Sequence, residues 1–110
     1  MSAVTTNKNG FEVLLEETIK GSITDLLGES SMRAILYHVS MDRLAKEPKV
    51  FDQKLRELLQ GPASIIEEVI IKDLFKRLDL TFAPMGTFDF ERYTNAAKEV
   101  YALKEKRLYG

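Results

Sequence analysis

The chain has 110 residues, with 16 Lys and Arg against 17 Asp and Glu and no cysteine. This length fits one domain with a core of its own. The near-zero net charge argues against a general nucleic-acid binder, which needs a basic excess to neutralise phosphates. The lack of cysteine excludes disulfides, thiolate catalysis and Cys-ligated metals. No apolar run reaches the ~18 residues of a membrane span, and residues 1–10 contain no hydrophobic signal core. We therefore expect a cytoplasmic protein without a membrane partner.

The N-terminal part predicts a tail followed by a helix. Residues 1–10 are polar and aperiodic, which predicts a disordered tail ahead of a single helical domain over residues 11–110. Apolar residues at helical spacing predict the first helix over residues 11–27. Its apolar face consists of Phe11, Leu15, Ile19, Ile23, Leu26 and Leu27. Gly28 predicts the end of this helix, because glycine readily adopts the left-handed conformation that terminates helices.

A second helix is predicted directly after this stop. Ser30 or Ser31 is expected to cap it, and it runs to about Ser40. Its apolar stripe is Met32, Ile35, Leu36 and Val39. Gly21, inside the first helix, costs ~1 kcal/mol relative to alanine, which favours a close helix–helix contact at that point. Residues 41–47 fit either an extension of the second helix or a separate turn.

Two prolines mark the next two helices. Pro48 begins a third helix over residues 48–60, and Pro62 follows Gly61 and begins the fourth. The apolar face of the third helix is Phe51, Leu55, Leu58 and Leu59. Residues 64–80 form the most apolar helix, with two adjacent rows made of Ile66, Ile70, Leu74 and Leu78 and of Ile71 and Phe75. This breadth predicts that the helix is central to the fold.

The last part of the chain predicts a loop and one more helix. Residues 81–87 contain Pro84 and Gly86 and have no period. Thr87 or Asp89 is expected to cap a helix over residues 90–108. Its inner face should consist of Phe90, Tyr93, Ala97 and Val100, with Tyr101 and Leu108 as further candidates. No segment alternates like a β-strand. The prediction is an all-α, five-helix, orthogonal or bundle-like single domain.

His38 is the first candidate functional residue, since it is the only histidine. A helical bundle with one exposed histidine is typical of phosphotransfer domains, where the histidine accepts a phosphate. In those domains a basic residue and a glycine follow the histidine, whereas Val39 and Ser40 follow it here. We therefore favour a boundary histidine that packs its ring and keeps one nitrogen in water.

Three carboxylates of the central helix, Glu67, Glu68 and Asp73, are candidates for metal binding or acid–base chemistry. A di-metal carboxylate bundle needs inward-facing Glu-x-x-His pairs, but isoleucines stand three residues after both glutamates. Glu68 precedes Lys72 by one turn, an order that stabilises an isolated helix by ~0.2–0.5 kcal/mol. We interpret the carboxylates as a solvated charged face and predict no catalytic, metal-binding or cofactor-binding residue.

DNA binding through a helix-turn-helix is the alternative function. Gly28 joins two predicted helices, and residues 27–39 would carry the DNA-reading region. A mild basic bias in the middle of the chain comes from Arg33, Arg43, Lys46, Lys49, Lys54 and Arg56. Acidic residues are interleaved with these, and the second helix offers a single arginine for base edges. A nucleic-acid partner therefore ranks below a protein partner.

The amount of apolar surface is the remaining clue. The apolar arc of the central helix covers about half its circumference, wider than the ~100° stripe of an ordinary surface helix. The last helix is rich in aromatic residues. A surplus of apolar surface on a small helical domain indicates a partner or a second copy of the chain, and we expect a homodimer. The alternative is a monomer whose own helices cover the whole face.

The chain resembles a family of small archaeal helical domains. The likeness is carried by Leu26-Leu27-Gly28-Glu29-Ser30 and Ala34-Ile35-Leu36-Tyr37-His38, then Pro48, Phe51 and Leu55, and finally Ile66-Glu67 to Leu74-Phe75. Those domains occur alone or attached to signalling proteins and have been proposed as signal-transduction output modules. The resemblance implies an interaction role in an archaeal cytoplasm, with another signalling protein as a further candidate partner. We therefore predict a non-enzymatic interaction or signalling module.

Overall fold

The computed structural model describes residues 10–39, 46–84 and 86–109. These residues form five α-helices: α1 (Gly10–Leu27), α2 (Glu29–His38), α3 (Pro48–Leu59), α4 (Pro62–Arg77) and α5 (Phe90–Tyr109). No β-strand occurs in these ranges, so the predicted all-α fold is confirmed. Of the predicted tail, Gly10 already belongs to α1, and residues 1–9 lie outside the described part. Most of the ambiguous segment, residues 41–45, lies outside it as well.

Prolines begin α3 and α4, as predicted. Pro48 and Pro62 each occupy the first turn of their helix, where the missing N–H has no intrahelical partner in any case. Only Gln60 and Gly61 separate the end of α3 from the start of α4. The two helices therefore pack against each other as immediate neighbours along the chain.

The junction between α1 and α2 differs from the prediction. Gly28 has a φ of 92°, its N–H donates to Thr24 O at 2.8 Å, and its carbonyl accepts from Met32 N–H at 3.0 Å. This one residue ends α1 and occupies the N-cap position of α2, and no side chain caps α2. The predicted caps Ser30 and Ser31 are wrong, because they already lie inside the first turn of α2.

The central helix of the fold is α4, as predicted, and it packs against α1, α3 and α5. All members of its two predicted rows are buried: Ile66, Ile70, Ile71, Leu74, Phe75 and Leu78. The surrounding helices complete the core with Phe11, Leu15, Ile19, Ile23, Phe51, Leu55, Phe90, Tyr93 and Ala97. Full burial of a large apolar side chain contributes ~1.5–3 kcal/mol, so this cluster is the main source of stability.

Aromatic contacts hold the segment between α4 and α5. The Phe82 ring centroid lies 5.9 Å from that of Phe75 and 5.2 Å from that of Tyr93, and the Phe88 ring stacks on Tyr93 at 5.3 Å. These contacts order a stretch that lacks any helical period. They also fix the direction in which the chain enters α5.

Three leucines that belong to the predicted apolar faces are exposed to solvent. The exposed fractions of Leu26, Leu27 and Leu58 are 44%, 43% and 40%. Each lies in the last turn of its helix, where apolar spacing identifies the face but not whether a neighbouring helix reaches that far. None of the described helices is long and apolar enough to cross a bilayer.

Candidate functional site

Two of the predicted carboxylates take part in ion pairs on α4. Glu68 Oε2 lies 3.0 Å from Lys72 Nζ, and both side chains are about half exposed, so the solvated pair is confirmed. Asp73 Oδ2 lies 3.3 Å from Arg77 Nε and 3.4 Å from Ser22 Oγ of α1. Within the described ranges, no three His, Asp or Glu side chains are grouped so that they could hold a metal ion.

An apolar groove lies between the end of α1, α2 and the end of α3. Its volume is about 300 Å³. The side chains that line it are Leu27, Ala34, Ile35, Leu58 and Leu59, together with Ser31 and His38. Ile35 is buried, whereas Leu27 and Leu58 remain partly open to solvent. Two leucines of the predicted apolar faces thus line the same open groove.

The apolar surface continues from this groove along α2. Tyr37 is 86% exposed, and its ring centroid lies 5.6 Å from that of its neighbour His38, which lines the groove. His38 is exposed, at the end of α2. Tyr37 is thus an exposed aromatic side chain in contact with a residue that lines the groove, and exposed apolar surface of this kind marks interaction sites.

Two of the helices that line the groove carry exposed charges of both signs. On α2, Arg33 Nη2 lies 3.1 Å from Glu29 Oε2, and both side chains are largely exposed. On α3, Lys54 and Glu57 are both exposed. None of these charged side chains lines the groove itself.

Glu67 is the second unusual feature, and it departs from the prediction. The predicted solvated carboxylate is fully buried, with 0% of its surface exposed. Its Oε2 has no hydrogen-bond partner among the described residues. The solvated-face interpretation is therefore wrong for Glu67, although it holds for Glu68 one position on.

Arg56 connects Glu67 to α3. The guanidinium donates from Nε to Asp52 Oδ1 at 2.7 Å, from Nη1 to Ser64 Oγ at 3.2 Å, and from Nη2 to Glu67 Oε1 at 3.4 Å. Asp52 lies on α3, as does Arg56, whereas Ser64 and Glu67 lie on α4. One arginine side chain thus bridges the two helices through three acceptors.

The surroundings of Glu67 favour its neutral form. Burial is the main cause that raises the pKa of Glu67 to about 9, the Asp52 carboxylate adds to the effect, and the opposing charge of Arg56 is a smaller influence. At neutral pH the side chain is therefore a protonated carboxylic acid. A neutral acid is the form that a buried carboxyl with one unpartnered oxygen tolerates best.

A polar cavity of about 620 Å³ adjoins this cluster. α3 contributes Lys49, Asp52 and Arg56 to its lining, and the rest comes from residues 86–89 and from Phe90, Glu91 and Arg92 of α5. Asp89 accepts the backbone N–H of Arg92 at 3.2 Å, which confirms it as the cap predicted for α5. The lining holds equal numbers of cationic and anionic side chains, so it favours neither charge.

The sequence contained a signal for the burial of Glu67. Ala63, Glu67, Ile71 and Phe75 recur at intervals of four residues and form one row of α4. The other three members of this row are buried and apolar. A glutamate within an apolar row is predicted to be buried as well, and extending the Ile71 and Phe75 row by two turns would have found it.

The predicted DNA-reading region is the surface that carries the groove. α2 contains 10 residues, and its only arginine, Arg33, is paired with Glu29. Arg56, another member of the predicted basic bias, is paired with Asp52. Neither arginine is presented as a free cation to a phosphate or base edge.

Comparison of the chain with protein-family models, curated proteins and solved structures finds no match in any of the three. The resemblance to archaeal helical domains stays a prediction. The function must be inferred from the groove and from the buried Glu67 with its contacts to Arg56 and Asp52.

Proposed function

We propose that this protein is a non-enzymatic interaction module of the cytoplasm that self-associates through the groove between α1, α2 and α3. The observation that carries the proposal is the exposure of Leu27 and Leu58 around an apolar groove of about 300 Å³. Association is favourable when a second surface removes such exposed apolar side chains from water.

A second copy of the chain fits this surface. An isologous dimer places the same patch on both subunits, so the patch must offer both a cavity and a projection. The groove supplies the cavity, and Tyr37, 86% exposed beside it, supplies the projection.

The overall charge also favours pairing between copies. The formal net charge is −1 at pH 7. Two copies therefore approach each other with little long-range repulsion. The affinity then depends on apolar contacts in the groove, and we expect it to be largely insensitive to salt.

Sedimentation velocity over a series of protein concentrations tests this proposal. The wild type is expected to shift from monomer to dimer as concentration rises. Leu58→Lys places a charge in the groove and is expected to weaken association by at least an order of magnitude, because a charge cannot be buried there without a partner. Leu58 is 40% exposed in the monomer, so the folded chain should accommodate the lysine.

Leu103→Lys is the matched control. Leu103 is 62% exposed on α5 and does not line the groove, so this variant should associate like the wild type. Circular dichroism confirms that both variants fold. A wild-type chain that stays monomeric at every concentration, or equal weakening by both substitutions, would contradict the proposal.

The DNA-binding alternative makes a different prediction. A gel shift with random duplex DNA should show binding that weakens steeply with salt if phosphate contacts dominate. Under the proposal made here, no shift is expected at physiological salt.

A further inference from the structure

The helix α3 carries residues of both unusual features. Asp52 and the half-exposed Arg56 surround the buried Glu67, and Leu58 and Leu59, within the next turn, line the groove. A change in how α3 sits on α4 therefore reaches the groove through a single rigid element. Resting on the proposed self-association, we propose that α3 opens from α4 with release of one proton from Glu67, so that a rise in pH loosens α3 and weakens the dimer.

In the closed state the protonated Glu67 is compatible with burial. Its Oε1 accepts from Arg56 Nη2 at 3.4 Å, while the same guanidinium donates to Asp52 at 2.7 Å. The single positive charge of Arg56 is thus matched by the single negative charge of Asp52. The neutral acid adds a contact between the helices without adding a charge to the interior.

Ionisation of Glu67 adds a second negative charge next to Arg56. Loss of the proton to solvent leaves a carboxylate that is 0% exposed and has one oxygen without a partner. Asp52 and Glu67 would then share one guanidinium, so the fully buried Glu67 carboxylate would lack a full counter-charge, which is unfavourable in a protein interior. Separation of α3 from α4 relieves it, since water then reaches the Glu67 carboxylate.

The link between the two helices permits such a separation. Only Gln60 and Gly61 join α3 to α4, and Gln60 has a φ of 58°. A short junction of this kind can change its backbone angles while α3 itself stays helical. The apolar contacts of Phe51 and Leu55 resist the opening, so we expect the open form to be a minor population at pH 6 and to gain population as Glu67 ionises.

Charged groups on the surrounding elements set the proton affinity. Besides Asp52 and Arg56 on α3, the segment before α5 contributes Asp89, whose negative charge also favours the proton on Glu67. The other charged side chains that line the adjoining cavity are Lys49, Glu91 and Arg92. The α1 contacts near Asp73 and Arg77 lie more than one turn further along α4.

Hydrogen exchange of the amides of residues 48–59 tests the inference. Rates are measured from pH 6 to pH 10 for the wild type and for Glu67→Gln, which keeps the shape of the protonated acid and cannot ionise. The ratio of the two rates at each pH cancels the intrinsic effect of pH on exchange. It should rise by up to about ten-fold per pH unit and level off near the Glu67 pKa of about 9.

Two further variants should shift the pH at which the exchange ratio levels off, in opposite directions. A purely structural role of Glu67 would not produce such shifts. Asp52→Asn removes a neighbouring negative charge, so the ratio should level off at a lower pH than in the wild type. Arg56→Gln removes the positive charge and should move the same point to a higher pH. A ratio that is flat with pH, or plateaus that do not move in these opposite directions, would overturn the inference.

Direct observation of the acid provides a second measurement that does not depend on any variant. The side-chain carboxyl carbon of Glu67 in the wild type should have the ¹³C chemical shift of a protonated acid at pH 7, and an ionised shift would overturn the inference.

Sedimentation separates this inference from the proposed function. Self-association should be weaker at pH 8.5 than at pH 6 for the wild type but unchanged for Glu67→Gln. A wild type that is monomeric at both pH values, with a rising exchange ratio, would refute the groove as a dimer site while the opening of α3 stands. Equal association at both pH values with a rising ratio would overturn the link between α3 and the groove.

Discussion

At the scale of single residues, Glu67 has the environment least suited to its side chain. It is fully buried on the central helix, with Arg56 as its hydrogen-bond partner and Asp52 as a neighbouring carboxylate. An apolar residue of similar volume at such a position is often neutral or stabilising. We propose that its ionisation is the event with which the opening of α3 begins.

The titration of Glu67 predicts how stability depends on pH. Its folded-state pKa of about 9 lies above its ordinary value of 4.5, so the native state binds more protons than the unfolded state between these values. Stability from this group is fully present below pH 4.5 and is lost as pH rises towards 9. The loss is at most about 1.4 kcal/mol per pH unit.

Thermal melts at pH 5 to 9 measure this dependence. The melting temperature of the wild type should fall steadily over the range, whereas that of Glu67→Gln should stay nearly constant. Glu68→Gln is the matched control, because Glu68 is a half-exposed acid one position away, and it should follow the wild type. Parallel curves for the wild type and Glu67→Gln would show that Glu67 does not titrate in this window.

At the scale of helices, alanine substitutions at two glycines are expected to change stability in opposite directions. Gly21 lies inside α1, and among atoms outside its own helix a Cβ added there would meet only Arg77 Nη2 within 4 Å, at 3.5 Å, the far end of a long side chain. The close helix contact suggested by the sequence is therefore made by a flexible side chain that leaves room for a methyl group. Gly21→Ala should stabilise the protein by about 1 kcal/mol, the difference in helix propensity.

Gly28→Ala serves as the opposing control. Its φ of 92° and ψ of 163° suit glycine alone, so alanine should destabilise by about 1–3 kcal/mol even though nothing lies within 4 Å of the added Cβ. Chemical denaturation measures both changes. Destabilisation by Gly21→Ala would mean that α1 and α4 approach more closely than the structure indicates.

The central helix gives a second matched pair. Ile70 is 0% exposed and Ile65, five residues earlier, is 68% exposed. Ile70→Ala should cost about 2–5 kcal/mol through lost burial and the remaining cavity. Ile65→Ala should change stability by less than about 0.5 kcal/mol. Equally small effects of the two substitutions on the free energy of unfolding would show that α4 does not lie at the centre of the core.

At this scale the sequence predicts the architecture well. Apolar spacing finds the buried rows of α4, and Pro48 and Pro62 mark helix starts because ring geometry restricts where proline fits. The caps Ser30 and Ser31 were wrong because Gly28 serves two helices at once. A local pattern cannot reveal such sharing, since it depends on the angle between α1 and α2.

At the scale of the whole molecule, the groove arises where the ends of α1 and α3 meet the side of α2. Spacing assigns Leu27 and Leu58 to apolar faces correctly, but it carries no information about whether another helix reaches them. Their exposure depends on the relative lengths and directions of α1, α2 and α3. The contact between Arg56 and Glu67 likewise depends on the tertiary structure, since the two residues belong to different helices. Only the apolar row around Glu67 was visible beforehand.

Self-association through the groove is the central claim, and backbone amide spectra recorded during dilution test it most directly. Amide resonances of residues 26–37 and 54–59 should shift together as the concentration falls, with one common dissociation constant. Those around Leu103, exposed but remote from the groove lining, should stay in place. Spectra that do not change on dilution, or shifts confined to residues outside the groove, would contradict the claim.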